Sequence, residues 1–249
     1  MLKINTLLAI FIMAILMTGC KLGKDSNTPK NTLFIGVDIS GSFNKTESFR
    51  NGLKFLSYYI YGHIQGLGGL SRPKDMYVGG IGGNIKDDPQ AFYPIHAFQG
   101  LQPAEIEVKL EKYFSSQKDN LTDFNVYFEK IALLVKQKNL TLAPINIVLV
   151  SDGVPEVVKK GGVKHLAYAN IKLDPIEYLA RNISLRLIYT SPKVGNDWVK
   201  QVPSKRIKIW TVESTVMFGW QDELKKGEDK LWKWIADNID RRINRGFLK

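Results

Sequence analysis

Two long apolar runs rich in β-branched residues constrain the fold more than any other feature of the sequence. They read TLFIGVDIS over residues 32–40 and PINIVLVSDG over residues 144–153. Consecutive rather than alternating apolar residues are typical of strands that are buried on both faces of a parallel sheet. Segments with helical spacing separate these runs from further apolar runs. The chain is therefore predicted to have an α/β fold, with a doubly wound, mainly parallel sheet and helices on both faces.

The remaining segments supply the other strands and helices of this fold. The segment 92–98 follows a short polar link and contains Pro94, so it is predicted as a short antiparallel edge strand. Other strands are predicted over 76–84, 183–190 and 207–213. Helices are predicted by their spacing of apolar residues, from Asn44 to the glycine-rich stretch at 65–70 and over 105–114, 122–138, 175–182, 196–202 and 227–243.

The first twenty residues, MLKINTLLAIFIMAILMTGC, have the features of an export signal. Lys3 provides a positive charge, and the apolar run 7–17 is shorter than the about 20 residues that a membrane span needs. Small residues directly precede Cys20, which is the only cysteine of the chain. The segment resembles a bacterial lipoprotein signal with M-T-G-C as its lipobox. This resemblance implies cleavage before Cys20 and acylation of Cys20, and two or more acyl chains anchor a protein stably.

These features divide the chain into three parts. Residues 1–19 are predicted to be a lipoprotein signal peptide, residues 20–31 a lipidated cysteine with a flexible polar tether, and residues 32–249 a single domain. The protein is expected to be exported and lipid-anchored to the bacterial cell envelope. Lys21 stands where some bacteria place the Asp that retains lipoproteins at the inner membrane, so the outer membrane is favoured in a cell with two membranes. An uncleaved anchor with an incidental cysteine is the alternative.

The charge balance is basic, with 35 Lys and Arg against 24 Asp and Glu and a formal net charge of +11. Such a balance is compatible with contact with anionic lipid, nucleic acid or acidic proteins. A solvated basic surface is the simpler explanation. The basic end of the chain, RRINRGFLK, is interpreted as a solvated terminus, so we expect no nucleic-acid partner.

Hydroxyl and carboxylate side chains follow both of the long buried runs. The first run ends in Asp38-Ile39-Ser40-Gly41-Ser42 and the second in Ser151-Asp152-Gly153, and Thr122 stands at the start of a predicted helix. In an open α/β sheet, ligands bind at the carboxyl ends of the strands. Oxygen donors without His or Cys favour a hard cation such as Mg²⁺, Mn²⁺ or Ca²⁺ over zinc.

This pattern resembles the metal-ion-dependent adhesion site (MIDAS) of von Willebrand factor type A (vWA) domains. That site combines D-x-S-x-S after the first strand with a Thr that opens a later helix and an Asp after the fourth strand. The resemblance spans residues 32–245, although the glycines that usually precede the Thr are missing. It implies that Ser40, Ser42 and Thr122 coordinate a divalent cation directly. Asp38 and Asp152 would hold the cation directly or through water.

The resemblance implies a binding module rather than an enzyme. An Asp or Glu of a protein partner would fill the open position on the cation, as in adhesion or complex assembly. Two alternatives are a metal-dependent phosphoester hydrolase and a metal-free adaptor with a degenerate site. Local explanations of the same residues also stay open. Ser40 with Ser42, or Thr122 with Asp123, would cap a helix, and Asp152 with Gly153 would form a plain turn.

Two other classes of enzyme lack residues that they need. A haloacid-dehalogenase-like phosphotransferase requires D-x-D after its first strand, but Ser40 stands at the second position. A serine hydrolase of the α/β class requires G-x-S-x-G, which does not occur in the sequence. The three histidines, His63, His96 and His165, are interpreted as structural or solvent-facing.

Overall fold

The computed structural model describes residues 31–82, 92–115, 121–141, 143–159 and 162–240. The predicted signal peptide 1–19, the predicted lipidation site Cys20 and the tether up to residue 30 lie outside the described residues, as do residues 241–249. In the described part, no helix has the length and apolar character that crossing a membrane requires.

A six-stranded sheet forms the centre of the domain. Its strands are β1 (Asn31–Asp38), β2 (Pro73–Ile81), β3 (Phe92–Pro94), β4 (Ile145–Val150), β7 (Ile183–Thr190) and β8 (Lys208–Glu213). Across the sheet they follow the order β3-β2-β1-β4-β7-β8. All neighbouring strands run parallel except β2 and β3, which pair antiparallel at one edge. The predicted α/β fold with one antiparallel edge strand is therefore confirmed. A separate hairpin contains β5 (Glu156–Lys159) and β6 (Gly162–His165).

Eight α-helices are described, and the longer ones cover both faces of the sheet. They are α1 (Glu47–Gln65), α2 (Pro103–Phe114), α3 (Phe124–Gln137), α4 (Asp174–Glu177), α5 (Pro192–Gln201), α6 (Ser214–Phe218), α7 (Trp220–Lys226) and α8 (Glu228–Trp234). A π-helical turn, Ile235–Asp240, follows α8.

Alternate residues of the central strands pack into two separate cores, one on each face. On β1, Leu33 and Ile35 join a core with α1, α2 and α8, whereas Phe34 joins a core with α3, α4 and α5. On β4, Val148 lies in the first core and Leu149 in the second. Because successive side chains of a strand point to opposite faces, a strand between two helical layers must be apolar throughout. This explains the unbroken apolar runs of β1 and β4.

Some predicted elements differ from those observed. The segment 92–98 is a strand only up to Pro94 and continues as a 3₁₀ turn, Ile95–Ala97. The helix predicted over 175–182 is a single turn, α4, because the carbonyl of Asn182 already accepts a hydrogen bond from the Ile145 amide at the start of β4. The helix predicted from Asn44 begins after Thr46, since the amide of Asn44 closes a turn onto the Ser40 carbonyl.

Two further differences concern segments near the middle and the end of the chain. The hairpin of β5 and β6 was not predicted, because strands of only four residues contain too few alternations of apolar and polar residues to be recognised. The predicted C-terminal helix divides into α8 and the π-helical turn. On its inner face, Leu231, Ile235 and Ile239 are buried and Trp234 is half-buried.

Candidate metal centre

The register of the two central strands brings Asp38 and Ser151 together. Strands β1 and β4 pair in parallel with Val37 opposite Val150, so the residues that follow leave the sheet side by side. The Ser151 hydroxyl donates a hydrogen bond of 2.6 Å to Oδ2 of Asp38. The Gly153 amide in turn donates to the Ser151 hydroxyl at 2.9 Å. Ser151 therefore positions Asp38, a role that the sequence reasoning missed although Ser151 directly follows the strand.

The loop after β1 folds back on Asp38. The amide of Ser40 donates to Oδ1 of Asp38 at 2.9 Å. The hydroxyls of Ser40 and Ser42 lie 3.2 Å apart and share a hydrogen bond. Ser40 is buried, whereas Ser42 is exposed to solvent. The alternating spacing of D-x-S-x-S thus places three oxygen-bearing side chains in a row from the interior to the surface.

Thr122 reaches the same carboxylate from a distant part of the sequence. Its hydroxyl lies 3.3 Å from Oδ1 and 3.4 Å from Oδ2 of Asp38, and the residue is only 1 % exposed. Close packing of α3 on β1 contributes to this approach. A Cβ at Gly36 of β1 would lie 2.9 Å from the Tyr127 ring of α3 and 2.8 Å from the Leu149 side chain, so a larger residue at position 36 would displace these side chains.

Asp152 lies in the turn after β4 and is half-buried. Its Oδ1 accepts a hydrogen bond of 2.9 Å from the Val154 amide. Gly153 has a positive φ of 79°, and its carbonyl accepts a 2.7 Å bond from the indole of Trp198. Burial raises the pKa of Asp152, against smaller lowering effects of the Val154 amide and of His165 on β6. His165 therefore lies near the site, a placement that the sequence reasoning did not predict.

The helix caps are provided by residues other than the predicted metal ligands. The Thr46 hydroxyl accepts from the Phe49 amide at the start of α1. Asp123 accepts from the Val126 amide at the start of α3. The capping explanation is therefore wrong for Ser40 and Ser42. Of the pair Thr122 and Asp123, Asp123 caps α3 as that explanation expects, whereas the Thr122 hydroxyl lies against Asp38. The turn explanation holds for Asp152, since its bond to the Val154 amide closes a turn.

The electrostatics of the site are dominated by the burial of Asp38, which is 0 % exposed. Burial, together with the smaller effect of the nearby charge of Asp152, raises the pKa of Asp38 to about 7, against the lowering effect of hydrogen bonds from Ser151 and Ser40. Within the described ranges, no Lys, Arg or His forms an ion pair with Asp38 or Asp152. A buried anion without a positive partner is unfavourable, so a bound cation would stabilise the ionised site.

The donor chemistry fits a hard divalent cation. Asp38, Ser40, Ser42 and Thr122 are joined by direct contacts, and Asp152 is close enough for its charge to act on Asp38. In the described part of the chain, no three His, Cys, Asp or Glu side chains are grouped so that they could hold a metal ion. A cation at this edge would therefore be held by two carboxylates and by hydroxyls, which are oxygen donors of the kind that Mg²⁺ and Ca²⁺ prefer.

Comparisons with known proteins give similarities at the level of structure. No family model matches the sequence, and no curated protein matches it. The pilus adhesin SpaC from Lactobacillus rhamnosus GG is similar with a TM-score of 0.49 and 11% identity, over 82% of this chain and 31% of the adhesin. This chain thus spans about a third of the length of that adhesin.

Two other solved structures show similarity over most of this chain. The VWA domain of SpRpn10 has a TM-score of 0.41 and 10% identity, over 84% of this chain and 96% of that domain. The human COPII-coat protein Sec24c has a TM-score of 0.39 and 10% identity, over 85% of this chain and 33% of that protein.

Proposed function

We propose that this chain is a binding protein of the bacterial cell envelope, anchored by lipid at Cys20. Its vWA-like domain would hold a divalent cation at the carboxyl edge of the sheet and bind an acidic protein partner through it. The observation that carries the proposal is the environment of Asp38. This carboxylate is fully buried, is surrounded by hydroxyl groups and has no cationic partner within the described residues.

Each residue of the site has a distinct role in this proposal. Ser40, Ser42 and Thr122 would coordinate the cation, which is Mg²⁺ or alternatively Mn²⁺ or Ca²⁺. Asp38 and Asp152 would balance its two positive charges, directly or through water. When bound, the cation supplies a positive centre with a position open to the carboxylate of a partner.

The exposure of the residues supports binding from the solvent side. Asp38, Ser40 and Thr122 are buried, Asp152 is half-buried and Ser42 is exposed. The interior side of the site is thus enclosed by protein, and its outer side faces solvent. The net charge of +11 would attract an acidic partner over a distance and increase the rate of encounter.

Calorimetric titration with Mg²⁺ tests the cation site. We expect binding of one Mg²⁺ to the wild type, no measurable binding to Asp38→Asn, and wild-type binding to Ser115→Ala, in which an exposed hydroxyl residue after α2 is removed. Absence of Mg²⁺ and Mn²⁺ binding to the wild type would instead support the adaptor with a degenerate site.

Capture from envelope extracts tests the acidic partner. Proteins that bind with Mg²⁺ should be lost with a chelator and lost with Asp38→Asn, but retained by Ser115→Ala. Equal capture by Asp38→Asn would contradict the proposal. Mg²⁺-dependent hydrolysis of a generic phosphoester that disappears in Asp38→Asn would favour the hydrolase instead.

The lipid anchor is tested separately by Cys20→Ser. We expect the wild type to be found in the membrane fraction and to be labelled when cells are grown with labelled palmitate. The variant Cys20→Ser should remain unlabelled. Labelling of Cys20→Ser would contradict anchoring at this residue.

A further inference from the structure

A second polar site lies at the amino ends of the parallel strands, opposite to the carboxyl ends where Asp38 lies. Strands β4, β7 and β8 begin there, and their first residues line a cavity of about 300 Å³. The lining includes four cationic side chains and one tryptophan, namely Arg181, Arg186, Arg206, Lys208 and Trp210. A concentration of positive charge in a concave site is the usual environment for a small anion.

Arg186 forms the rigid inner part of this cavity and is only 6 % exposed. Its Nη1 donates to the Ser184 hydroxyl at 2.7 Å and to Oδ1 of Asn146 at 3.3 Å, and its Nη2 donates to the Asp240 carbonyl at 2.8 Å. All three acceptors are neutral. The guanidinium also lies over the Trp210 ring, at 5.1 Å from the centroid, so its position is fixed from several sides.

One N–H donor of this guanidinium is left without an acceptor in the described part of the fold. The Nε of Arg186 is buried and has no hydrogen-bond partner among the described residues. A buried donor without a partner costs about 1–3 kcal/mol. A fixed guanidinium with an unused N–H group at a cationic cavity is prepared to receive an acceptor from a ligand.

The three other cations surround the cavity at the surface. Arg181, Arg206 and Lys208 are exposed, and none of them forms an ion pair with another described residue. Arg206 lies over the Tyr178 ring at 5.7 Å. Their charges are therefore not neutralised by carboxylates of the described fold.

Asp240 is the one carboxylate among the described residues that line the cavity. Its oxygens contact other residues, but its charge still acts on Arg186. Its Oδ1 accepts from the Tyr59 hydroxyl at 2.9 Å, and its Oδ2 lies 3.3 Å from Nε2 of His63. Asp240 offsets one of the four positive charges, so the cavity retains a surplus of three.

We propose that this cavity binds a phosphate group. Arginine matches phosphate oxygens with parallel N–H donors, and a surplus of three positive charges suits a dianion better than a single carboxylate. The ligand is either free phosphate or the phosphate of an anionic lipid headgroup. A lipid headgroup is one source because β1, which follows the proposed lipid anchor at Cys20 and its tether, begins at this end of the sheet. Its first residue, Asn31, lines an adjoining cavity that also includes Arg186. This source therefore rests on the proposed anchor. This proposal is independent of the metal centre.

Calorimetry with inorganic phosphate tests the site, using the full chain in neutral detergent at low ionic strength. Metal should be removed on a chelating resin, because a soluble chelator is itself an anion. We expect phosphate to bind the wild type and to bind at least about tenfold more weakly to the double variant Arg181→Ser/Lys208→Ser. Arg50→Ser/Lys112→Ser is the matched control, since it removes one exposed Arg and one exposed Lys outside the cavity.

Two further probes identify the source of the phosphate and its class. Tighter binding of glycerophosphoglycerol, the headgroup of phosphatidylglycerol, than of inorganic phosphate supports the site with a lipid source. The reverse order supports the site with free phosphate as its ligand. The proposal is overturned if neither phosphate probe binds, if both double variants weaken phosphate binding equally, or if glutarate binds as tightly as phosphate.

Discussion

The substitution Asp38→Asn separates two effects of the buried carboxylate, namely its destabilisation of the metal-free fold and its contribution to cation binding. A rise in the pKa of Asp38 from 3.8 to about 7 corresponds to roughly 4 kcal/mol lost by the folded, metal-free protein at a pH above 7. Asparagine removes this charge and keeps one acceptor oxygen. The lost acceptor costs about 1–2 kcal/mol. We therefore expect Asp38→Asn to stabilise the metal-free protein at pH 8 by about 2 kcal/mol.

The sign of this effect should change with pH. The pKa of Asp38 is raised in the folded protein, so the folded state binds a proton more tightly than the unfolded state does, and wild-type stability falls as pH rises from about 4 to about 7. At pH 4 the wild type is largely free of the ionisation cost. There, Asp38→Asn should destabilise the protein by about 1–2 kcal/mol through its lost hydrogen bond.

Urea unfolding followed by tryptophan fluorescence measures both effects. The curves should be recorded at pH 4 and pH 8, without metal and with millimolar Mg²⁺. Mg²⁺ at pH 8 should stabilise the wild type and leave Asp38→Asn unchanged. The control is Asp229→Asn, at an exposed position in the first turn of α8, which should change stability by less than about 0.5 kcal/mol. A loss of stability in Asp38→Asn at pH 8 without metal would refute the reasoning.

Three further predictions follow from single contacts. Mg²⁺ affinity should fall by up to roughly tenfold per pH unit below 7, since protons compete for Asp38, and calorimetry showing a constant affinity from pH 5 to 8 would exclude this. Gly153→Ala should lower the free energy of unfolding by about 1–3 kcal/mol, as measured by urea unfolding. The reason is that the backbone φ of Gly153 is 79° and the new Cβ would lie 2.9 Å from Val194. An unfolding free energy equal to that of the wild type would argue against this strain. Thr46→Ala should cost about 1 kcal/mol by the same measurement through loss of the α1 cap, and an unchanged midpoint would show that the cap contributes nothing.

The sequence predicts the sheet well because burial on both faces imposes a simple pattern. Strands β1 and β4 must be apolar at every position, and this is visible without tertiary information. The convergence of Asp38 and Asp152 at one edge follows from parallel strands in the same sheet. The position of Thr122 was predicted through the family resemblance, and the structure places its hydroxyl against Asp38.

Features that depend on contacts between distant segments were not predictable. Arg186 reads as a charged residue within an apolar strand, and its environment depends on Asn146 and Asp240, which are 40 and 54 residues away. Likewise, the role of Ser151 becomes visible only when the register of β1 and β4 places its hydroxyl against Asp38. Sequence patterns indicate which face a residue occupies, but not which partner it meets there.

Anomalous diffraction from crystals grown with Mn²⁺ tests the central claim most directly. The account predicts one strong peak at the carboxyl edge of the sheet, within coordination distance of the hydroxyls of Ser40, Ser42 and Thr122 and close to the carboxylates of Asp38 and Asp152. Crystals at saturating Mn²⁺ that show no peak at this position, or a peak only elsewhere on the domain, would contradict it.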